Sequence, residues 1–408
     1  MRSQNKPDEQ GFTLVEIMVA TAVTSVIILA GMSALTMTGK AVRANEQISD
    51  AQQNARMAME MITHDIKMAG FGPQIDPSRN PPPVGACGIG GTPVPILPGD
   101  NNPTVGVADT GPDQISLVVP LTFYGAPATP AWQTTAPLGV GGGGFPNVPI
   151  NAAILPAMNA AGFGANSFIS LGGIVAAQVQ GSAAPILLTV PYPGPTQIPT
   201  GTQVFILQCV TYQVIPQLAG GTPGADLFGI CGGNAPCLVR GIANAVVNDG
   251  FGRTLPNCNV AASPCLPIVN GIEDIQFAYA CDGCLLPAAG LSEPDGRIDD
   301  VSLNLIFDQP DYISNRIWNS PPMTPSAIKM VQVAIVARQQ SVDNGFGEGN
   351  SQAGAGTLST TFLTVDDHLH AGGVFVAGDA GAQIPPYASV RRRVVTRTVE
   401  TRNARPWS

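Results

Sequence analysis

The sequence predicts an α+β architecture: one long N-terminal α-helix packed on an antiparallel β-sheet head with large Gly/Pro-rich loops. Three observations lead there. Residues 12–69 keep a helical pattern without a break, and period-two alternation recurs beyond residue 110. The 408 residues include 47 glycines and 38 prolines, which punctuate the rest of the chain and argue against an all-helical protein. Charged residues make up only 12%, with a formal net charge of −9, while 44% are hydrophobic. That much apolar material can bury a core and excludes wholesale disorder. The acidic balance excludes a general nucleic-acid binder, which would carry a basic field.

The helix divides in two. Residues 1–11 are polar and end in Gly11. From Phe12 to Gly39 the only ionisable side chain is Glu16, so 23 uncharged positions follow each other at 17–39. At about 1.5 Å per residue such a helix covers a hydrocarbon layer of roughly 30 Å. Residues 12–39 therefore read as a membrane-spanning half. A secretory signal would have a shorter apolar core with a small-residue cleavage site after it. Here the glycine precedes the apolar run, and the helical pattern continues past it. In residues 40–70, Ala44, Ile48, Ala51, Ala55, Ala58, Ile62, Ile66 and Ala69 recur at spacings of three and four, one apolar stripe. The run Gly70-Phe71-Gly72-Pro73 ends it, since glycine suits a helix C-cap and proline cannot continue the ladder.

Glu16 needs an account, because an acidic residue at a bilayer centre costs about 2.5–3.5 kcal/mol. Two readings stand. Cleavage between Gly11 and Phe12 would create an α-amine at Phe12 able to pair with Glu16 of its own chain or of a neighbour. Alternatively, Glu16 sits near enough to the end of the span to reach the interface.

Residues 71–408 read as a β-rich head. Clean alternation marks 115–123, 301–307 and 331–337; less clean apolar runs lie at 186–190, 203–214, 275–279, 361–365 and 374–376. One sheet face needs a cover, and the stripe on residues 44–69 supplies it. The stretches 72–112, 125–149 and 191–201 are Gly/Pro-rich and read as irregular loops that enlarge the head.

The eight cysteines are Cys87, Cys209, Cys231, Cys237, Cys258, Cys265, Cys281 and Cys284. An even number downstream of an export segment suits disulfides in an oxidising compartment. Proximity favours Cys231–Cys237, Cys258–Cys265 and Cys281–Cys284, leaving Cys87–Cys209 as a long-range closure. A redox or zinc centre at Cys281-Asp-Gly-Cys284 is disfavoured, because no second CxxC completes a zinc set. Asp295-Gly-Arg-Ile-Asp299-Asp300 fails the calcium-loop pattern and reads as a hairpin turn. No nucleophile elbow, phosphate loop or metalloprotease motif is present, so neither catalysis, a cofactor nor a metal is expected. Arg391, Arg392, Arg393, Arg397, Arg402 and Arg405, against Glu400, make the last 18 residues strongly basic. That end reads as a charged edge strand or a docking face for an acidic neighbouring subunit, with DNA contact the less favoured alternative.

The run Gly11-Phe12-Thr13-Leu14-Val15-Glu16 resembles the prepilin processing motif of type IV pilins and of the pseudopilins of type II secretion. The resemblance implies removal of the leader 1–11 by a prepilin peptidase, N-methylation of Phe12 and a role for Glu16 in assembly. The leader is neutral, Asp8 and Glu9 offsetting Arg2 and Lys6, where a plainly basic one is usual. Residues 62–72, 269–279 and 391–403 resemble segments of PilW-type minor pilins; lobes at 73–267 and 268–408 follow from where that resemblance resumes. It implies a minor pilin in a complex that primes filament assembly and sits at the tip. The implied associates are other minor pilins, the major pilin, the assembly platform and a PilY-type adhesin. The implied location is the inner membrane, crossed once with the head outside the cytoplasm, and then the extracellular pilus. The alternatives are a type II secretion pseudopilin and a membrane-anchored surface-binding or DNA-uptake protein.

Overall fold

The computed structural model describes residues 13–71, 88–89, 92–99, 111–120, 132–138, 147–160, 163, 167–173, 175–181, 183–188, 197–215, 230–231, 236–242, 246–248, 254–256, 265–284, 295–304, 306–314, 316–318, 323–339, 363–365, 368–370 and 392–401. The chain divides into two compact units, Met1–Asp50 and Ala51–Ser408.

Helix α1 spans Leu14–Met68. It stops where Gly70 takes φ +69°, a left-handed conformation that side chains with a Cβ avoid. There the Phe71 N–H closes the last turn on the Met68 carbonyl (3.1 Å), while the Gly70 N–H leaves the helix for the Val118 carbonyl (2.9 Å). Inside the second unit the helix buries Ala51, Ala55, Ala58, Met59, Ile62 and Ile66, and Ala69 is buried just past its end. The stripe thus packs from Ala51 onward; Ile48 is only half-buried.

Ten strands make two larger sheets among the described residues: β1 (Ile96–Gly99), β2 (Gln114–Pro120), β3 (Phe168–Leu171), β4 (Val175–Gln178), β5 (Val204–Ile215), β6 (Cys237–Ile242), β7 (Cys265–Asn270), β8 (Ile272–Cys281), β9 (Ile328–Arg338) and β10 (Arg392–Glu400). The seven-stranded sheet runs β7-β6-β5-β2-β1, and β3 pairs both with the start of β5 and with β4. The second sheet is β8-β9-β10. Every pairing in both is antiparallel. The chain changes sheet at Gly271, whose φ of +81° permits the corner between β7 and β8. Its N–H donates to the Pro236 carbonyl and its carbonyl accepts the Arg338 N–H. Both sheets and α1 feed one core: Ile62 and Ile66 of the helix join Ile115, Val210 and Leu238 of the first sheet and Ile275, Val333 and Ile335 of the second. Every residue of β8 is buried, as in strands covered on both faces.

Residues between β2 and β5 build a smaller core of their own. Leu138, Val148, Ile154, Met158, Phe163, Ile169 and Ile198 meet there, around the ribbon of Asn147–Val148 with Ile186–Leu187 and the short helix α2 (Leu155–Ala160). Part of the Gly/Pro-rich stretches expected to be irregular is therefore packed structure. Six residues are too few for a helical period to declare itself in sequence. The run at 374–376 lies outside the described residues.

One expectation fails outright. The alternation at 301–307 predicts a strand, and the turn before it a hairpin; the described residues there form an irregular loop. Its Asp and Asn side chains take the backbone donors that a ladder would need. Asp300 Oδ1 accepts from the Ser302 hydroxyl and the Asn304 N–H, Asp311 Oδ1 from the Ser302 N–H (2.9 Å), and Asp311 Oδ2 from the Asp308 N–H (2.8 Å). Burial opposes the charge on Asp311, but these donors outweigh it and hold its carboxyl below the usual range. A carboxyl depressed in the folded state stabilises above its unfolded value of about 3.9, and the gain is lost as pH falls through the folded value. Hydrogen exchange should therefore show Ser302 and Asp308 amides well protected at pH 6 and losing protection below about pH 4. Protection unchanged down to pH 2 would remove Asp311 from this role.

Two ionic ties clamp the elements. Asp65 of α1 accepts the Tyr212 hydroxyl (2.7 Å) and Arg240 Nε (2.9 Å), which face each other across β5 and β6. Burial first, then the Asp65 charge, pushes the Tyr212 phenol far above its ordinary value, so it remains a donor. On the second sheet, the β8–β9 register steps from Ile272↔Ala337 to Asp274↔Val336, leaving Glu273 as the extra residue of a bulge. Its buried carboxylate takes Arg392 Nε and Nη2, with Arg338 Nη1 at 3.8 Å. Arg338 and Arg392 are direct cross-strand partners, so one carboxylate sits between two guanidiniums.

Candidate assembly site

The chemistry of the N-terminus begins at Thr13. This residue precedes the helix and Glu16 stands three positions on, a Thr-x-x-Glu capping box. Glu16 Oε2 accepts from the Thr13 N–H and the Thr13 hydroxyl, both at 2.9 Å, and the Glu16 N–H donates back to the hydroxyl at 3.3 Å. The carboxylate is thus folded over the helix start, where the dipole favours negative charge. Gly11 and Phe12 lie outside the described residues.

From Leu14 onward the first unit presents apolar side chains on every side: Leu14 is 75% exposed, and Ile17, Val23, Ile28, Met32 and Leu35 are all bare. A helix hydrophobic all round and buried by nothing of its own needs an apolar surrounding. Most of its hydroxyls are already satisfied. The hydroxyls of Thr21, Thr24, Ser25 and Thr38 bond to the carbonyls of Ile17, Ala20, Thr21 and Ala34, one turn back. Such back-bonding lets hydroxyl residues enter hydrocarbon without an unpaired donor. The helix is long and apolar enough to cross a membrane.

The model of the prokaryotic N-terminal methylation motif matches residues 6–32. The N-terminus thus resembles the prepilin type. A pilin-like protein of Thermus thermophilus, PilA3, is 37% identical to this chain over 62 residues. That stretch is 15% of this chain and 27% of PilA3, so the alignment spans about a quarter of that relative. No solved structure matches the chain. The motif-bearing segment thus combines a helix long and apolar enough to cross a membrane with the capped carboxylate, and the similarity reaches little of the head.

In the head, disulfides join Cys231 to Cys237 and Cys281 to Cys284. Cys209 and Cys265 are disulfide-bonded as well, and Cys87 and Cys258 lie outside the described residues. Cys281, Cys284 and Asp299 bring their ligand atoms within 4.8 Å of one another, a donor set that a thiophilic cation could use. The two sulfurs are bonded to each other, however. Asp299 spends Oδ1 on the Gly283 N–H and Oδ2 on the Cys284 N–H, bracing the disulfide loop. Of the C-terminal arginines, Arg392 lies in the Glu273 cluster, Arg393 and Arg397 are exposed on β10, and Arg391, Arg402 and Arg405 lie outside the described residues. Thr13, Asp65 and Glu273 are the residues that sequence reading missed. Only Thr13 had a local signal, the Thr-x-x-Glu spacing itself.

Proposed function

We propose that this chain is a minor pilin of the PilW type, structural rather than catalytic, made as a precursor in the inner membrane with its head outside the cytoplasm. The observation that supports this most is the capped carboxylate of Glu16 at the start of a helix bare of partners over its whole apolar half. A prepilin peptidase would cut after Gly11, placing a methylated α-amine on Phe12 beside the Thr13–Glu16 box. The helix 12–39 then leaves the bilayer and packs among the helices of other pilins. Lipid and helix bundle are similarly apolar, so the transfer is tolerable if the one carboxylate finds the cation of a neighbouring N-terminus. The large head would crowd a repeating shaft, which favours a place at the tip. Other minor pilins, the major pilin, the assembly platform and a PilY-type adhesin are the associates of that role.

Intact-mass analysis of shed filaments tests it. The expected species begins at Phe12, carries one added methyl group and has no free thiol among its eight cysteines. A protein that starts at Met1, or is absent from the fibre, would overturn the reading.

A further inference from the structure

The head carries two unlike surfaces on opposite faces of one sheet. Along β9, Val331, Val333, Ile335 and Ala337 point into the main core, so Gln332, Ala334 and Val336 belong to the other face. The loop at 300–312 is anchored on that second face. Gln309 and Gln332 exchange a pair of amide hydrogen bonds, and the Tyr312 hydroxyl stands 3.5 Å from that of Thr398 on β10. Away from the sheet the loop presents Leu303 (65% exposed), Ile306 (66%) and Phe307 (41%). Leu303 has φ +58°, a left-handed conformation rare for a side chain this large. The carboxylate network described above holds it there. Of the five aspartates in residues 295–311, Asp299 and Asp311 are buried, which leaves Asp295 exposed and Asp300 and Asp308 half-buried against the one arginine, Arg297, so this apolar knob has a net acidic surround.

The complement lies on the core-side face of β10. Val395 and Val399 pack inward, while Arg393 and Arg397, which share their parity, are exposed at the rim of the sheet. Among the described residues β10 is an edge strand of this sheet. Its rim alternates arginine with aliphatic side chains, basic where the knob is acidic. The two surfaces face opposite ways across one sheet, so they cannot meet within a chain, but they can meet between chains.

We propose that the knob of one copy of this chain docks on the Arg393–Arg397 rim of a second copy. The contact is heterologous: each copy offers both halves and leaves one of each unfilled, so it propagates instead of closing. The surface belongs to the head alone and does not depend on the filament role proposed above.

The test uses the full chain, one copy per nanodisc, which prevents association through the apolar helix. Sedimentation at about 100 µM chain should show wild type forming dimers and larger species that dissolve in high salt. Ile306→Asp and Arg393→Glu/Arg397→Glu alter only exposed side chains. Each should weaken self-association about tenfold or more. Mixed, the two variants should form a one-to-one pair that goes no further, because the first keeps its rim and the second its knob. A photocrosslinker in place of Ile306 should map to residues 392–400 of the partner chain. The proposal fails if wild type stays single, if either variant associates like wild type, if the mixture forms no pair, or if the crosslink maps elsewhere. Since the assay contains no filament, such failure leaves the mass test of the pilin reading untouched.

Discussion

Glu273→Ala is expected to destabilise the head by about 3–5 kcal/mol, the usual penalty for removing one partner of a buried ion pair. The single carboxylate neutralises two guanidiniums that face each other across β9 and β10, and all three side chains are largely or wholly buried. Burial already draws Arg338 below the ordinary guanidinium range, with Glu273 opposing that fall and Arg392 adding to it. Without Glu273, two like charges would share a dry pocket, and the bulge that delivers the carboxylate would have no purpose. The loss should appear in denaturant unfolding as a lower midpoint with little change in slope. Glu273→Gln keeps an acceptor and should fall between wild type and the alanine variant. Replacing all three residues with apolar ones of similar volume should recover much of the loss, since the penalty comes from uncompensated charge. An alanine variant within about 1 kcal/mol of wild type would show that solvent reaches the cluster.

The second large effect concerns assembly. Glu16→Ala should leave the precursor inserted and processed, yet reduce its recovery in filaments by about 100-fold or more. The estimate is the 3–5 kcal/mol cost of a buried charge without its partner, converted to an equilibrium constant. In the single chain the carboxylate is occupied by Thr13 through its N–H and its hydroxyl. In a bundle of apolar helices it is the one group able to meet a neighbour's α-amine. Thr13→Ala removes the hydroxyl and keeps the charge, so it should reduce incorporation far less. Comparing sheared filaments with membrane fractions by immunoblot separates these cases. A Glu16→Ala chain that enters fibres normally would leave only the membrane-anchor role, with the carboxylate reaching for the interface.

The alignment with PilA3 covers a small share of either protein, so the head must be understood from its own contacts. Those contacts give meaning to segments that looked merely distinctive. Asp65 binds the helix to β5 and β6, Gly271 turns the chain from one sheet into the other, and Glu273 binds the C-terminal strand through Arg392.

The long helix, its apolar first half, its stop at Gly70 and the β-rich head were all legible from the chain. Each depends on interactions between residues a few positions apart, whose period survives in the order of the letters. The failure at 301–307 has a physical cause: alternation of Val301, Leu303, Leu305 and Phe307 promises a strand only if the backbone is free to pair. Asp300, Asn304 and Asp311 claimed its N–H groups first. Nothing in sequence marks Glu273 and Arg392, 119 positions apart, or Asp65 and Arg240, 175 apart, as partners. Burial and register made those pairs, because the carboxylates and guanidiniums removed from water together had to satisfy one another, and only the folded backbone decides which ones meet.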